Sequence, residues 1–152
     1  MKKLLALLLV FACVFGVSCV KVKQLNCTVD ELFDKICKAN AEGEMYAYSA
    51  DRIAEIGIAP DLYESGKFMV PEETAGVETV AFFKAKSDGS AKTIKAALEA
   101  FVKATQVDQK DYNADNYNVA LEAVVVECDN YVYLVMSSAK AAILKVIDEN
   151  LK

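Results

Sequence analysis

The sequence predicts an α+β domain: a mostly antiparallel four-stranded sheet with helices packed on one face. Three observations carry this. Segments with a helical apolar period alternate with short apolar runs, in the order helix, irregular stretch, two strands, helix, two strands, helix. The last two runs, Ala123 to Glu127 and Tyr131 to Ser137, are separated only by Cys128-Asp129-Asn130, which marks an antiparallel hairpin. No internal repeat, low-complexity tract or Pro-rich linker divides residues 28–152, a length sufficient for one ordinary core and too short for two.

The first eighteen residues stand apart from that fold. Lys2 and Lys3 precede the run Leu4 to Val17, and small residues Gly16 and Ser18 lead to Cys19. A positive start, a short apolar run and a small-residue cleavage site describe a secretion signal. The cysteine after the site adds the mark of a lipoprotein, in which it becomes the acylated first residue. The box carries Gly16 where such boxes usually carry Leu. Two other fates fit the same run: cleavage without acylation, or retention of Leu4 to Val20 as a membrane anchor at the short end of a helical span. All three export the body of the chain. We therefore expect residues 1–18 as signal peptide, Cys19 as the lipidation site, residues 19–27 as a tether and 28–152 as the domain. The protein then sits outside the cytoplasmic membrane, anchored to its outer face, with Lys21 and Lys23 beside the head groups.

Within the body, Thr28-Val29-Asp30-Glu31 is a capping box, and Val29, Leu32, Phe33, Ile36 and Cys37 share one helical face, so a helix is expected over 29–40. Residues 44–58 are ambiguous. Ser49 is placed to cap a short helix through Ile56, with Gly57 as its stop, and Pro60-Asp61 opens a turn. Lys67 to Val70 reads as a strand ended by Pro71, and 72–76 as a loop. Glu78 to Lys86 is the clearest strand. Val80 and Phe82 lie on one side and Ala81 and Phe83 on the other, the mark of a central strand. Ser90 is expected to cap a long helix with the stripe Ile94, Ala97, Leu98, Phe101, Val102 and Thr105, running to about Lys110. After the hairpin, Ser138 is expected to cap a last helix that turns Ile143, Leu144, Val146 and Ile147 inward.

The order of these motifs resembles the domain of unknown function 4358 family. The likeness rests on the Thr-Val-Asp-Glu-Leu-Phe helix start, Gly57-Ile58, Asp61-Leu62-Tyr63, Glu78 to Lys86, and Tyr112, Tyr117 and Ala123 to Val126 leading into Asn130 to Val135. It spans roughly residues 28–150. The resemblance implies a small exported lipoprotein, of a kind found mainly in Gram-positive gut and soil bacteria, with an α+β domain. It supplies no activity and no catalytic residues.

Composition excludes several functions. The chain has no His, which removes the commonest general base, the usual triad and most zinc sites. No Gly-rich phosphate loop occurs. Without residues 1–18, and so without Lys2 and Lys3, 15 basic residues face 22 acidic ones, a net charge of −7. Nucleic acid is therefore no partner. No cofactor is implied and no catalytic residue is assigned. Ser138-Ala139-Lys140 falls where a helix cap belongs, and Glu72-Glu73 in a solvated loop. Of the cysteines beyond the leader, Cys27 and Cys37 bracket one helix and stand too far apart to bridge, leaving Cys37–Cys128 as the one conceivable disulfide. The alternative is that both are small apolar side chains.

Two patterns merit attention. Asp111, Asn113, Asp115 and Glu122 have the oxygen spacing of an EF-hand calcium loop, against the simpler expectation of an Asp/Asn-rich turn. Asn118 occupies a position such loops keep apolar, and a strand rather than a second helix follows. The pairs Tyr46/Tyr48 and Tyr131/Tyr133 each have same-side strand spacing, as partner or ligand contacts or as packed sheet residues. The expected function is a non-enzymatic, lipid-anchored envelope domain that binds an envelope protein or small ligand. The rival is a carboxylate-based cell-wall hydrolase, which needs a deep pocket with two convergent carboxylates.

Overall fold

The computed structural model describes residues 22–40, 44–72 and 76–152. The expected signal peptide, Cys19 and Lys21 lie outside the described residues. Helix α1 (Val29–Ala39) starts at the expected capping box: Thr28 accepts from the Glu31 N–H at 3.2 Å, and the Glu31 carboxylate accepts from the Thr28 N–H at 2.8 Å. That backbone bond, with the Thr28 hydroxyl bond, holds the Glu31 carboxyl below its ordinary value. Strand β1 (Met45–Ala47) follows, then α2 (Ala50–Glu55), capped by Ser49 as expected. Gly57 ends that helix with a φ of +91°, a conformation suited to glycine. A single 3-10 turn over Pro60–Leu62 leads into β2 (Tyr63–Pro71), longer than the expected strand at its N-terminal end. Strand β3 (Thr79–Ala85) and α3 (Asp88–Gln109) come next, and Ser87 rather than Ser90 caps that helix. Then come α4 (Ala114–Leu121), β4 (Val124–Cys128), β5 (Tyr131–Met136) and α5 (Lys140–Asn150). The hairpin turn uses a positive φ at Asp129, as an Asp tolerates. Helix α5 has no side-chain cap at Ala139. The Ser138 N–H donates instead to the Glu78 carboxylate, and Ser137 accepts from Ala139.

The sheet has five strands, not four, in the order β1-β2-β3-β5-β4, and every pairing is antiparallel. The additional strand is β1, only three residues long, inside the ambiguous stretch. The expectation of helices on one face is also corrected. Ala81 and Phe83 join Phe68, Leu134 and Met136 beneath α3, whose Ala91, Ile94 and Leu98 are fully buried, with Ile53 of α2 and Ala120 of α4 at the margins. Val80 and Phe82 join Tyr131, Tyr133 and Val135 on the opposite face, covered by Leu32, Phe33 and Ile36 of α1 and by Ile143 and Ile147 of α5. The two-sided apolar pattern of β3 demands this double cover. Each fully buried Leu, Ile or Phe contributes about 1.5–3 kcal/mol relative to exposure, so neither face of the central strands can be left to water. The packing is close: a Cβ at Gly66 would stand 2.2 Å from Phe83 Cδ1, so only glycine lets β2 pass that ring.

Cys27, Cys37 and Cys128 are free thiols, so the Cys37–Cys128 bridge is not formed. Cys37 is exposed on the last turns of α1, whereas Cys128 ends β4 beside the hairpin turn, at the other pole of the sheet. Part of the expected tether is structured. Gln24 and Lys152 exchange backbone hydrogen bonds at 2.7 and 3.0 Å, the Asn26 N–H donates to the Asn150 carbonyl at 2.8 Å, and Leu25 bridges Leu151. The Lys23 N–H donates to the Asp129 carboxylate at 2.7 Å, and the Leu25 N–H to the Tyr131 hydroxyl at 3.2 Å. Residues 23–26 thus form a strap across the hairpin pole.

Candidate functional site

Strand alternation puts Tyr46, at the edge of the sheet, on the face that carries α3, and Tyr48 follows on the same side. Tyr48 stacks on Phe68 with ring centroids 5.2 Å apart, and Phe68 meets Phe101 of α3 edge-on at 5.1 Å. Tyr46 tilts against Tyr48 at 5.8 Å, and the Arg52 guanidinium of α2 lies over the Tyr48 ring, 5.5 Å from its centroid. Tyr46, Tyr48 and Phe101 of this row wall one side of a cavity of about 240 Å³. Val70, Pro71, Val77 and Met136 supply its apolar surface, and Thr79 and Thr105 its hydroxyls. Thr79 donates to the Val77 carbonyl at 2.9 Å and Thr105 to the Phe101 carbonyl at 3.0 Å, so both offer lone pairs rather than protons to an occupant. Among the described residues, neither Tyr46 nor Tyr48 hydroxyl has a hydrogen-bond partner, and no charged side chain lines the cavity.

The backbone of β1 adds a second element. The Tyr48 N–H donates to Phe68 and the Glu72 N–H to Glu44, so Tyr46, between them, turns its polar groups toward β2. By antiparallel alternation, Met45 and Ala47 point their N–H and C=O groups outward from the sheet. The cavity therefore borders an open strand edge. Its described lining is an apolar and aromatic recess with hydroxyl oxygens, suited to an uncharged chain or ring.

The other predicted pair lies elsewhere. Tyr131 and Tyr133 are 5% and 6% exposed, on the opposite face, and both pack on Phe82. They belong to the core, and only Tyr131 reaches the lining of a recess, beside Leu25 and Lys84. Burial, with Asp148 and then Cys128 adding to it, pushes the Tyr133 phenol above its ordinary value. The calcium spacing is corrected too. Asn113 is the N-cap of α4, accepting from the Asp115 and Asn116 N–H groups at 3.0 Å, and the helix runs through the span a ligating loop would need. Glu122 ends α4 and pairs with Lys140 at 3.1 Å. Among the described residues, no group of three or more His, Cys, Asp or Glu is arranged to hold a metal. The groove with two carboxylates, Glu31 and Asp34, flanks α1 with Lys35 and Lys38, and Glu31 is already committed to its cap.

The family model described as Domain of unknown function (DUF4358) matches residues 38–137. The chain belongs to this family. The matched stretch includes the whole sheet, α2 to α4 and every residue that lines the aromatic cavity, while most of α1 and all of α5 fall outside it. No curated protein and no solved structure matches the chain, so the DUF4358 assignment fixes kinship without an activity. Among the described residues, no helix is long and apolar enough to cross a membrane. Sequence reasoning found Tyr46 and Tyr48 but missed Phe101, Thr79, Thr105 and Met136 as their neighbours. Those residues come from three other elements, and no local pattern joins them to β1.

Proposed function

We propose that this DUF4358 protein is a lipid-anchored, non-enzymatic binding domain of the cell envelope. Its site is the cavity beside β1, and its occupant is an extended peptide segment of an envelope protein. The observation that carries the reading is the joining of an uncharged aromatic recess to an outward-facing strand edge on the same three-residue strand. A peptide laid along β1 would bond the outward groups of Met45 and Ala47 and insert an apolar or aromatic side chain between Tyr46 and Thr105. The anchor is supported by Lys2-Lys3, the apolar run and Cys19. No described carboxylate lines the recess, so nothing there favours the hydrolase.

Selection of a random heptapeptide library on the immobilised domain tests the site. Bound peptides are expected to shift the resonances of Tyr46, Tyr48, Val77 and Thr105 and to slow exchange of the Met45 and Ala47 amides. Shifts confined to other surfaces would overturn it. For the anchor, mass spectrometry of the membrane fraction is expected to find Cys19 as an acylated first residue, with Cys19→Ser released to the soluble fraction. An intact, unmodified leader would remove that half of the reading.

A further inference from the structure

The strap and the cavity occupy opposite poles of the sheet. In the register of β3, Lys84 faces Tyr131 and the Ala85 N–H donates to the Asn130 carbonyl at the hairpin end, whereas Thr79 faces Met136 at the cavity. The six residue steps from Ala85 to Thr79 span roughly 20 Å. The chain enters the domain at the hairpin pole, where Lys23 is fixed to Asp129 and Gln24 to Lys152. Four residue steps separate Lys23 from Cys19, and fully extended they reach about 14 Å.

We infer that the strap sets the polarity of the domain on the membrane: the hairpin pole faces the lipid and the aromatic recess is presented away from it. This rests on the lipid-anchored reading above. The magnitudes decide it. Turning the domain over would lift the strap at least the length of β3 above the bilayer, farther than four fully extended residues reach. The recess is therefore kept from meeting the anchoring bilayer pole-on, and it opens toward what lies outside the membrane surface. Charge at this pole is mixed, with Lys84 paired to Glu64 and Lys145 to Glu149 beside Lys23, Asp129 and Lys152.

The test uses the full acylated protein in phosphatidylglycerol/phosphatidylethanolamine vesicles doped with a gadolinium-chelating lipid. Amide signals of Gln24, Asp129 and Lys152 are expected to broaden strongly, and those of Tyr46, Gly76 and Thr105 to stay at the level of undoped vesicles. A flexible Gly/Ser insertion after Val20 of about ten residues, worth roughly 17 Å of r.m.s. reach, is expected to erase the contrast. Equal broadening at both poles of the unmodified chain, or stronger broadening at Tyr46, overturns the polarity while leaving the anchor intact. No broadening anywhere, with Cys19 unacylated in the mass spectrum, removes the anchor and the polarity with it.

Discussion

Tyr46/Tyr48 and Tyr131/Tyr133 are the same motif with opposite fates. Both are tyrosines two residues apart, and both flank a small or β-branched residue. Tyr46 is 45% exposed, while Tyr131 and Tyr133 are almost completely covered. The difference lies in the strands. β1 is an edge strand whose α3-side face runs out where α3 passes Phe101 and Thr105. β5 is flanked by β3 and β4, and α5 lies over its tyrosine face. An alternating aromatic pattern therefore reports which residues share a face. Whether that face is wet is decided by strand order, which is a long-range property.

The contrast can be broken most forcefully at Tyr133. Tyr133→Ala removes a ring stacked on Phe82 and opens a cavity in the α1/α5 layer, with an expected loss of about 3–5 kcal/mol in urea unfolding. A loss below about 1 kcal/mol would mean the ring is not core. Tyr131→Phe is subtler: it keeps the ring and deletes the oxygen that accepts from Leu25. We expect about 1 kcal/mol of destabilisation and faster exchange of the Leu25 amide, with unchanged exchange contradicting the strap bond.

Alkaline pH sharpens the comparison without mutation. The Tyr133 phenol is held above its ordinary value by burial, whereas in the unfolded chain it ionises near pH 10. The unfolded state then loses its proton first, so stability is full below about pH 10 and falls as pH rises through the folded value. Burial raises Tyr63 in the same way, and it contributes its own part of the slope. Urea midpoints between pH 8 and 11 are expected to fall less steeply for Tyr133→Phe than for the unmodified protein. Identical slopes would remove Tyr133 from the account. The smallest effect is expected at Tyr46. Tyr46→Ala is predicted to change stability by no more than about 0.5 kcal/mol while weakening capture of selected peptides, and a large stability loss would place that ring in the core.

Local physics was legible in the sequence where a few neighbouring residues complete it. The Thr28/Glu31 capping box, the Ser49 cap, the Gly57 stop and the Asp129 turn all sit where the residue chemistry puts them. Val80, Ala81, Phe82 and Phe83 marked a central strand, yet helices were expected on one face only, because nothing local says that α1 and α5 take one face and α3 the other. Helix α4 was hidden because Asp and Asn serve equally as cation ligands and as helix caps, and Asn113 takes the second role. Strand β1 was hidden because three residues hold too little pattern to separate a strand from a loop. Two residues of the site, Tyr46 and Tyr48, were visible as a spacing. The remainder is assembled from β2, β3, β5 and α3 by tertiary packing.

The pairing of residues 24–26 with 150–152 has a mechanical side. A tug on an anchored N-terminus would load these few backbone bonds from one end, opening them one after another like a zip rather than shearing them together. They would part well before the interior of the sheet feels the load. Their release would hand several further residues, up to the start of α1 at Val29, to the free linker. In a domain held by such an anchor, this stretch would be the part that yields first and closes again when the pull ends.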